Sequence, residues 1–318
     1  MKKVFAAGEL LIDFMGARPD VSMKDCDTFI KKAGGAPPNA LAALCKLGGK
    51  GYLASRVGQD PFGDFLIEEC EKYGIDLSMV KKDPSHFTTV AFVSLTSSGE
   101  RDFIFAKGAH SYIAYEDINE DILRDCEIFH FGAATGLLDS KTHETYNLLL
   151  DYARKNNKLI SFDANYRYDF WKQDTDLFIN RANEYISKSH LIKLSEEEAF
   201  VLSGKNNIYE AGQFFVDLGT TLVLITLSEK GTLVYMKDFN EIIPSIKVDC
   251  IDSTGAGDAF IGAFLYQISI RDDVEDIFND KNLLKKAVAY ANKAGAICCK
   301  SLGAMESMPT AKEMDLDI

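Results

Sequence analysis

The sequence predicts an α/β protein with a mostly parallel central sheet, flanking helices and a small β-sheet lid. From about residue 120 onwards, buried strands alternate with helices, which is the pattern of βαβ units in a parallel sheet. Two segments nearer the start lack helical periodicity and are predicted to supply the strands of the lid. The predicted core comprises 1–11, 34–86 and 109–318, and the predicted lid comprises 12–33 and 87–108.

The first residues, MKKVFAAGELLIDF, have two lysines ahead of an apolar run and must be distinguished from a signal peptide. Glu9 and Asp13 interrupt this run, and no small-residue cleavage site follows it. We therefore expect a buried first strand that ends near Asp13. The longest apolar run, at 222–226, is much too short to cross a bilayer.

The lid is predicted from two patterns. Residues 87–108, FTTVAFVSLTSSGERDFIFAKG, alternate in character on both sides of the turn signal SSGE, as expected of a β-hairpin. The stretch from Ile12 to Ala33 is strand-like and interrupted by polar residues. Together they predict a few strands inserted near the start of an α/β chain.

The second half of the chain alternates regularly. Predicted strands cover 127–132, 158–167, 190–195 and 220–227, and predicted helices cover 141–157, 177–189 and 196–204. The polar stretches DANYR, KLSEEE and TLSEKG each follow one of these strands. Because ligands bind at the carboxyl ends of strands in parallel sheets, we expect these stretches to lie at the functional site.

Composition narrows the classes of partner. The 318 residues carry a net charge of −13 and contain no basic run, which argues against nucleic acid or an anionic membrane surface. Any anionic ligand must therefore be held by local groups. The seven cysteines include no CxxC pair, and the five histidines show no HxxxH spacing. These patterns favour a reducing compartment, and we predict a cytoplasmic protein without a histidine-based metal site.

A turn within CIDSTGAGDAFIGAFL combines two glycines with a single carboxylate. A predicted strand at 245–251 leads into it, and a helix follows. Gly255, Ala256 and Gly257 leave the unpaired N–H groups of the first helical turn open to an anion such as a phosphate. Asp258 beside them is then a candidate general base. The alternative is that Asp258 only caps the helix and that the glycines only permit close packing.

A second stretch, AGGAPPNALAALCKLGG, places two glycines before a stiffened helix start. Gly34 and Gly35 let the backbone approach a ligand closely, and the two prolines precede a helix predicted to begin near Asn39. Asn39 is predicted either to cap that helix or to bind ligand hydroxyl groups. Asp13 is predicted either to bind hydroxyl groups or to form a simple turn at the end of its strand.

Together these stretches resemble the ribokinase/PfkB family of carbohydrate kinases over essentially the whole chain. Residues 34–66 are similar to the family's N-terminal signature, 252–265 to its C-terminal signature and 303–309 to its closing loop. The resemblance implies a ribokinase-like fold. It also implies that ATP, with Mg²⁺, phosphorylates a hydroxymethyl group of a sugar, and that Asp258 is the base beside an anion hole at 255–257.

The resemblance assigns the remaining site residues by position. Sugar hydroxyl groups would be held by Asp13, Gly34, Gly35 and Asn39. The nucleotide would be contacted by Lys193, Ser195, Thr226, Ser228, Gly231 and Asn292, with Asn292 near the adenine. A monovalent cation, which is potassium in many members, would be ringed by Asp252, Thr254, Gly303 and Ser307.

Two positions depart from the family pattern. Ser195 replaces an asparagine in the usual NxxE, although Glu198 retains the acid that organises magnesium and its waters. Ser228 stands within TLSEKG, where the family usually has TLGxxG. The alternative for SEEE is a solvated helix start with a serine cap.

The expected substrate is fructose. GGAPPNAL and SSGERDFIF resemble the fructokinase branch, and Arg101 would then approach the sugar rather than remain a solvated hairpin charge. DANYR resembles a motif of both fructokinases and 2-keto-3-deoxygluconate kinases. Arg167 would stabilise the transferring phosphoryl group, pair with a sugar acid or serve a purely structural role. The segment AKGAHSY lacks residues frequent in fructokinases, and Gly132 makes ribose a poorer candidate.

Two alternatives stay open. The first is a 2-keto-3-deoxygluconate kinase, and the second is a sugar-sensing protein of kinase ancestry that Ser195 and Ser228 have deprived of turnover. The resemblance also allows a homodimer formed through the lid.

Overall fold

The computed structural model describes residues 1–18, 21–95 and 101–316, except for the side chains of Leu95, Arg101 and Asp102. The strands are β1 Lys3–Ala7, β2 Leu11–Gly16, β3 Phe29–Gly34, β4 Lys50–Gly58, β5 Asp76–Asp83, β6 Val90–Leu95, β7 Arg101–Ala106, β8 Cys126–Gly132, β9 Leu159–Asp163, β10 Leu191–Ser195, β11 Leu222–Thr226, β12 Thr232–Met236 and β13 Phe239–Ile243. The α-helices are α1 Ala36–Lys46, α2 Pro61–Lys72, α3 Glu120–Asp125, α4 Ala133–Gly136, α5 Lys141–Lys155, α6 Tyr168–Trp171, α7 Thr175–Ile186, α8 Glu196–Ser203, α9 Ile208–Leu218, α10 Ala256–Ser269, α11 Asp276–Asn279, α12 Lys281–Cys298 and α13 Ala311–Asp315. Short 3₁₀ helices cover Met23–Asp25, Ala109–Tyr112, Tyr115–Asp117 and Ser228–Lys230.

Nine strands form the central sheet in the order β13-β12-β11-β10-β9-β8-β1-β4-β5. Neighbouring strands are parallel from β11 to β5, whereas β12 and β13 at the other edge run antiparallel. The carboxyl ends of β1, β8, β9 and β10 therefore meet at one edge, where ligands bind in sheets of this kind.

A second sheet has the order β3-β2-β6-β7. The pairs β2–β3 and β6–β7 are antiparallel, and β2–β6 is parallel. All four strands come from the two segments predicted to form the lid, except for Leu11 at the start of β2 and Gly34 at the end of β3. The turn of the predicted hairpin, SSGE at 97–100, lies outside the described residues.

Apolar side chains cover both faces of the central sheet. In β1, Val4 and Ala6 pack on the face covered by α1, α10 and α12, whereas Phe5 packs on the face covered by α5, α7 and α9. Successive strand residues point to opposite faces, so a strand buried on both sides is continuously apolar. Burying one such phenylalanine contributes roughly 1.5–3 kcal/mol. These two layers fix the strand ends that carry the polar residues.

The predicted α/β class, with a mostly parallel sheet and a small second sheet, is confirmed. The predicted strand at 245–251 is wrong, because this segment pairs with no strand and forms no regular element. It follows Pro244, which has no N–H to donate, and it has left the sheet beyond the edge strand β13. The helix predicted to begin near Asn39 begins earlier, at Ala36. No helix in the described ranges is long and apolar enough to cross a membrane.

Candidate active site

Asp258 lies in the first turn of α10, which begins after Gly255 in the left-handed conformation with φ 79°. Its side chain is only 8% exposed, and Oδ2 accepts a hydrogen bond of 2.8 Å from Nδ2 of Asn39 in α1. The other polar atom of Asn39, Oδ1, is buried and has no hydrogen-bond partner among the described residues. The first turns of two helices therefore meet at a carboxylate and an unsatisfied amide oxygen, an arrangement suited to a ligand hydroxyl group.

The surroundings of Asp258 raise the pKa of its carboxyl group to near neutral pH. Burial raises the pKa of Asp258 to about 7, and the negative charge of Asp163 adds to this rise. The hydrogen bond from Asn39 and the positive charges of Lys193 and Arg167 lower the pKa again, but by less. A general base works best when its pKa lies near the working pH, and Asp258 meets that condition.

Lys193 brings a positive charge to the same helix start. Its Nζ lies 3.1 and 3.2 Å from the two carboxylate oxygens of Asp163, and both side chains are buried, with Asp163 at the end of β9 and Lys193 opposite it in the middle of β10. Burial lowers the pKa of Lys193, but the nearby carboxylates outweigh it and raise the pKa overall, so the amine stays charged. A Cβ on Gly257 would lie 2.8 Å from this Nζ. The ammonium therefore lies beside the first turn of α10, an arrangement suited to an anion, although the Ala256 N–H is taken up by a hydrogen bond of 3.2 Å to the carbonyl of Ser253.

Gly34 and Gly35 are required by two close contacts. A Cβ on Gly34 would lie 2.0 Å from Oδ2 of Asp13, and one on Gly35, where φ is 115°, would lie 2.1 Å from the carbonyl oxygen of Glu9. Burial raises the pKa of Asp13 to about 7, a rise that Arg167 opposes and Glu9 increases. The glycines thus bring the backbone directly against the carboxyl group of Asp13, which is half-buried in the second sheet.

Glu9 is a buried acid for which the sequence predicted no role in the site, only an interruption of the first apolar run. It is 2% exposed, Oε1 accepts a hydrogen bond of 3.0 Å from the Ala36 N–H, and Oε2 accepts one of 2.7 Å from Thr135 Oγ1. Burial raises its pKa. Glu9 thereby joins the end of β1 to the start of α1 and to α4, behind the glycine turn. The available signal was the acid itself, placed inside the apolar run predicted to be one strand ending near Asp13. That prediction is wrong, because the run divides into β1 and β2 on either side of Glu9, and Asp13 lies within β2.

Arg167 lies just before α6 and is exposed. In the described part of the chain it makes no hydrogen bond or ion pair, yet its charge lowers the pKa of Asp13 and of Asp258. The guanidinium therefore acts on both carboxyl groups from a position open to solvent. The side chain of Arg101, the other predicted arginine, lies outside the part that the structure describes.

A cavity of about 720 Å³ adjoins the start of α10. Its lining includes Ala256 and Gly257 of the predicted anion hole and five residues predicted to contact the nucleotide, Ser195, Thr226, Ser228, Gly231 and Asn292, but not Lys193 or Gly255. Asn292 accepts a hydrogen bond of 2.6 Å from Thr232 Oγ1 and donates one of 2.9 Å to the carbonyl of Ile243. Its amide therefore holds the cavity wall together. Ser228 adopts a left-handed conformation with φ 54°, which is unusual for a residue other than glycine.

Glu198 lies behind this cavity and is buried. One carboxylate oxygen accepts a hydrogen bond of 2.7 Å from the Tyr166 N–H, and the other accepts one of 2.7 Å from the Ser195 N–H. Ser195 in turn accepts from the Glu198 N–H, which completes a capping box at the start of α8. The predicted serine cap is present, whereas Glu196 and Glu197 are exposed and line the cavity.

Asp252 connects two loops that carry the residues predicted to surround a monovalent cation. Its Oδ1 accepts a hydrogen bond of 2.9 Å from the Thr254 N–H, and its Oδ2 accepts one of 3.1 Å from the Gly303 N–H. Ser307 donates to the carbonyl of Leu302 within the second loop. The structure thus brings these predicted residues into neighbouring loops. Among the described residues, no group of three or more His, Cys, Asp or Glu side chains could hold a metal ion.

The chain is similar in sequence and in fold to carbohydrate kinases. The family described as pfkB family carbohydrate kinases matches residues 1–311. Probable fructokinase-5 of Arabidopsis thaliana is 33% identical over 310 residues, which are 96% of this chain and 94% of that protein. An uncharacterized sugar kinase of Pyrococcus horikoshii in complex with ATP is 32% identical, with a TM-score of 0.85 over 98% of this chain and 96% of that one.

A fructokinase double mutant of Vibrio cholerae O395 was solved in a form with fructose, ADP and potassium bound. It is 27% identical to this chain, with a TM-score of 0.86 over 99% of this chain and 97% of that one. These similarities extend over the full length of both sheets.

Proposed function

Because the chain belongs to the pfkB family of carbohydrate kinases, we propose that it transfers the γ-phosphoryl group of ATP to the 6-hydroxyl group of fructose. The chain is a sugar kinase, and the similarity to plant fructokinases supports fructose as the sugar. One observation carries the proposal. Asp258 is buried between Asn39, whose amide oxygen is free to bind a hydroxyl group, and Gly257 at the edge of the large cavity.

Asp258 acts as the general base. The carboxylate takes the proton of the sugar hydroxyl group while its oxygen forms a bond to the γ-phosphorus atom. The bond from that phosphorus atom to the bridging oxygen breaks, and its electron pair leaves with ADP. Asn39 holds the carboxylate in place through the bond of 2.8 Å. The proton is therefore transferred only when the sugar hydroxyl group lies against the side chains of Asp258 and Asn39.

Fixed positive groups stabilise the negative charge on the phosphoryl group during its transfer. The amides of Gly255 and Gly257 and the ammonium of Lys193 lie at the start of α10, whereas the Ala256 N–H already donates a hydrogen bond of 3.2 Å to the carbonyl of Ser253. Because these groups are held before the reaction, little reorganisation is needed when charge develops. Arg167 adds an exposed positive charge from the side of the sugar.

ATP occupies the cavity of about 720 Å³, with its terminal phosphate towards Gly257. The residues present fit a magnesium ion that arrives with the nucleotide, since Glu196 and Glu197 line the cavity and Glu198 would reach it through water. When bound, this ion would neutralise phosphate charge. A potassium ion would be held by Asp252, Thr254, Gly303 and Ser307, whose loops Asp252 joins.

The sugar occupies the space between the two sheets. Oδ1 of Asn39 and the carboxyl group of Asp13 supply partners for hydroxyl groups, and the turn at Gly34 and Gly35 brings the backbone close. A specific observation also supports 2-keto-3-deoxygluconate as a second candidate. Arg167 has no ion-pair partner in the described ranges, so its guanidinium is available to a substrate carboxylate.

An ADP-release assay with fructose, 2-keto-3-deoxygluconate, ribose and a nucleoside tests the proposal. We expect the highest kcat/KM with fructose and a product phosphorylated at the 6-hydroxyl group by ³¹P NMR. Preference for the sugar acid would instead establish the second candidate. Sugar binding without ADP release from any substrate would support a sensor and contradict the kinase.

The Asp258→Asn variant tests the base. We expect it to bind fructose normally and to lose turnover by at least about a thousandfold. Asp238→Asn changes an exposed acid in the turn between β12 and β13 and should behave like the wild type. Near-normal turnover in Asp258→Asn would refute the assignment.

A further inference from the structure

Two cysteines lie together in the wall of the nucleotide cavity. Cys250 and Cys299 both line it, and their thiols are close enough to interact electrostatically. The backbone keeps them close, because the carbonyl of Cys299 accepts hydrogen bonds of 2.8 Å from the Ile251 N–H and 3.2 Å from the Asp252 N–H. The segment that begins at Cys250 is therefore fastened to the end of α12.

The surroundings of the two thiols differ from those of the other cysteines. All seven cysteines lie in the described part of the chain, and Cys250 alone is exposed. Cys299 is partly buried. Cys298, its neighbour in sequence, is buried, and its Sγ lies 3.6 Å from the carbonyl oxygen of Thr254. Cys298 therefore offers a matched control for any reaction at Cys299.

We propose that Cys250 and Cys299 form a dithiol site that reacts with a low-molecular-weight disulfide, such as oxidised glutathione, and thereby blocks the nucleotide cavity. The effect on catalysis rests on the proposed function, because ATP must occupy this cavity. The site itself rests only on the position and exposure of the two thiols.

The reaction proceeds by two exchanges. The thiolate of Cys250 attacks one sulfur of the disulfide, which gives a mixed disulfide and releases one glutathione thiolate. The thiolate of Cys299 then attacks the Cys250 sulfur, forms the Cys250–Cys299 bond and releases the second glutathione. Two protein thiols are oxidised, one glutathione disulfide is reduced, and two protons leave the thiols. Cys299 is partly buried, whereas Cys250 is exposed, so the second exchange is the slow one.

Either product obstructs the cavity. Residues 245–248, immediately before Cys250, line the cavity and belong to no helix or strand. The mixed disulfide places a tripeptide in this space, and the intramolecular bond fixes the segment against α12. ATP bound in the cavity would in turn shield both sulfur atoms. Oxidation and nucleotide binding should therefore exclude each other.

The experiment uses the full chain treated with oxidised glutathione. We expect the loss of two free thiols, a Cys250–Cys299 peptide in the non-reducing digest, and ATP binding weakened at least tenfold and restored by dithiothreitol. ATP added first should slow thiol loss at least tenfold. Cys299→Ser should stop at one glutathione on Cys250, Cys250→Ser should resist oxidation, and Cys298→Ser should oxidise like the wild type.

A cross-link at other cysteines, or unchanged ATP binding after the Cys250–Cys299 bond has formed, would overturn the proposal. Both readouts are independent of sugar turnover. A failure of the thiol site is therefore distinguishable from a failure of the kinase assignment, which the ADP-release assay reports.

Discussion

The side chain of Asn39 donates a hydrogen bond of 2.8 Å to Asp258, although 219 positions separate the two residues. The bond joins the first turns of α1 and α10, which carry the two most unusual stretches of the sequence. It also leaves Oδ1 of Asn39 buried without a partner in the described ranges. A single amide therefore orients the proposed base and offers an acceptor to the sugar.

Replacing Asn39 with alanine should damage both roles. A hydrogen bond to a charged group is worth about 1.5–3 kcal/mol, so we expect kcat/KM for the sugar to fall roughly 10- to 100-fold. The Asn39 bond lowers the pKa of Asp258, so its loss should move the acid limb of the pH–rate profile to higher pH. The profile of kcat/KM between pH 5 and pH 9 measures both effects.

Asn183 provides the matched control for Asn39. Its Nδ2 also donates one hydrogen bond, to the carbonyl of Leu202, and its Oδ1 is also buried without a partner in the described residues. Asn183→Ala should lower stability without moving the acid limb. An unchanged profile in Asn39→Ala would contradict the coupling between Asn39 and Asp258.

Glu9 should affect sugar binding without touching the sugar. Its carboxylate holds the Ala36 N–H and Thr135 Oγ1 behind the glycine turn. In Glu9→Ala both partners lose their bonds, and we expect KM for the sugar to rise at least tenfold while KM for ATP stays within twofold. Glu9→Gln keeps an acceptor for Ala36 and a hydrogen-bonding group for Thr135, so it should restore most of the sugar affinity.

Steady-state kinetics with each substrate varied in turn provide the measurement, and thermal unfolding provides the check on folding. Thr135→Val removes only one of the two bonds and should give an intermediate KM for the sugar. A purely structural role for Glu9 predicts a different result, in which KM for both substrates rises together as the melting temperature falls.

Patterns confined to short stretches predicted most of the fold and part of the site. The alternation of strands and helices, the Gly34–Gly35 turn and the start of α10 before Asp258 each depend on neighbouring residues in the chain. The partners of Glu9 could not be predicted, because Thr135 lies 126 positions away and meets it only through the order of the strands.

The segment at 245–251 shows that a local pattern can also predict an element that does not form. Its alternating apolar residues favour a strand, but a strand needs a neighbour with which to pair its N–H and C=O groups. The sheet ends at β13, so the segment pairs with no strand and lines the cavity instead. The edge of a sheet cannot be predicted from the local sequence alone.

Gly257→Ala should disable phosphate binding. The added Cβ would lie 2.8 Å from Nζ of Lys193, which is held in place by Asp163. Moving the ammonium breaks a buried ion pair next to the anion site, and we expect kcat to fall at least tenfold and ATP to bind more weakly. Gly74→Ala in the turn between α2 and β5 is the control: its φ of 76° strains an alanine and should lower stability, but a Cβ there meets nothing within 4 Å, so the kinetics should not change. Equal kinetics in the two variants would contradict the role of the α10 start.

Asp258→Asn should make the protein more stable at alkaline pH while it abolishes turnover. Burial raises the pKa of Asp258 from its ordinary value of 3.8 to about 7, so the folded protein holds this proton more tightly than the unfolded chain does. The stability contributed by the protonated acid is complete below pH 4 and is lost as pH rises through 7. Asparagine cannot ionise, yet its oxygen still accepts the bond from Asn39. The free energy of unfolding of Asp258→Asn should therefore exceed that of the wild type, by a margin that widens by about 3 kcal/mol between pH 5 and pH 8.

Urea denaturation of both proteins at the two pH values measures the margin, with Asp238→Asn as the exposed control. A margin independent of pH would mean that Asp258 is ionised normally in the folded protein, and the explanation of its basicity by burial would then be wrong.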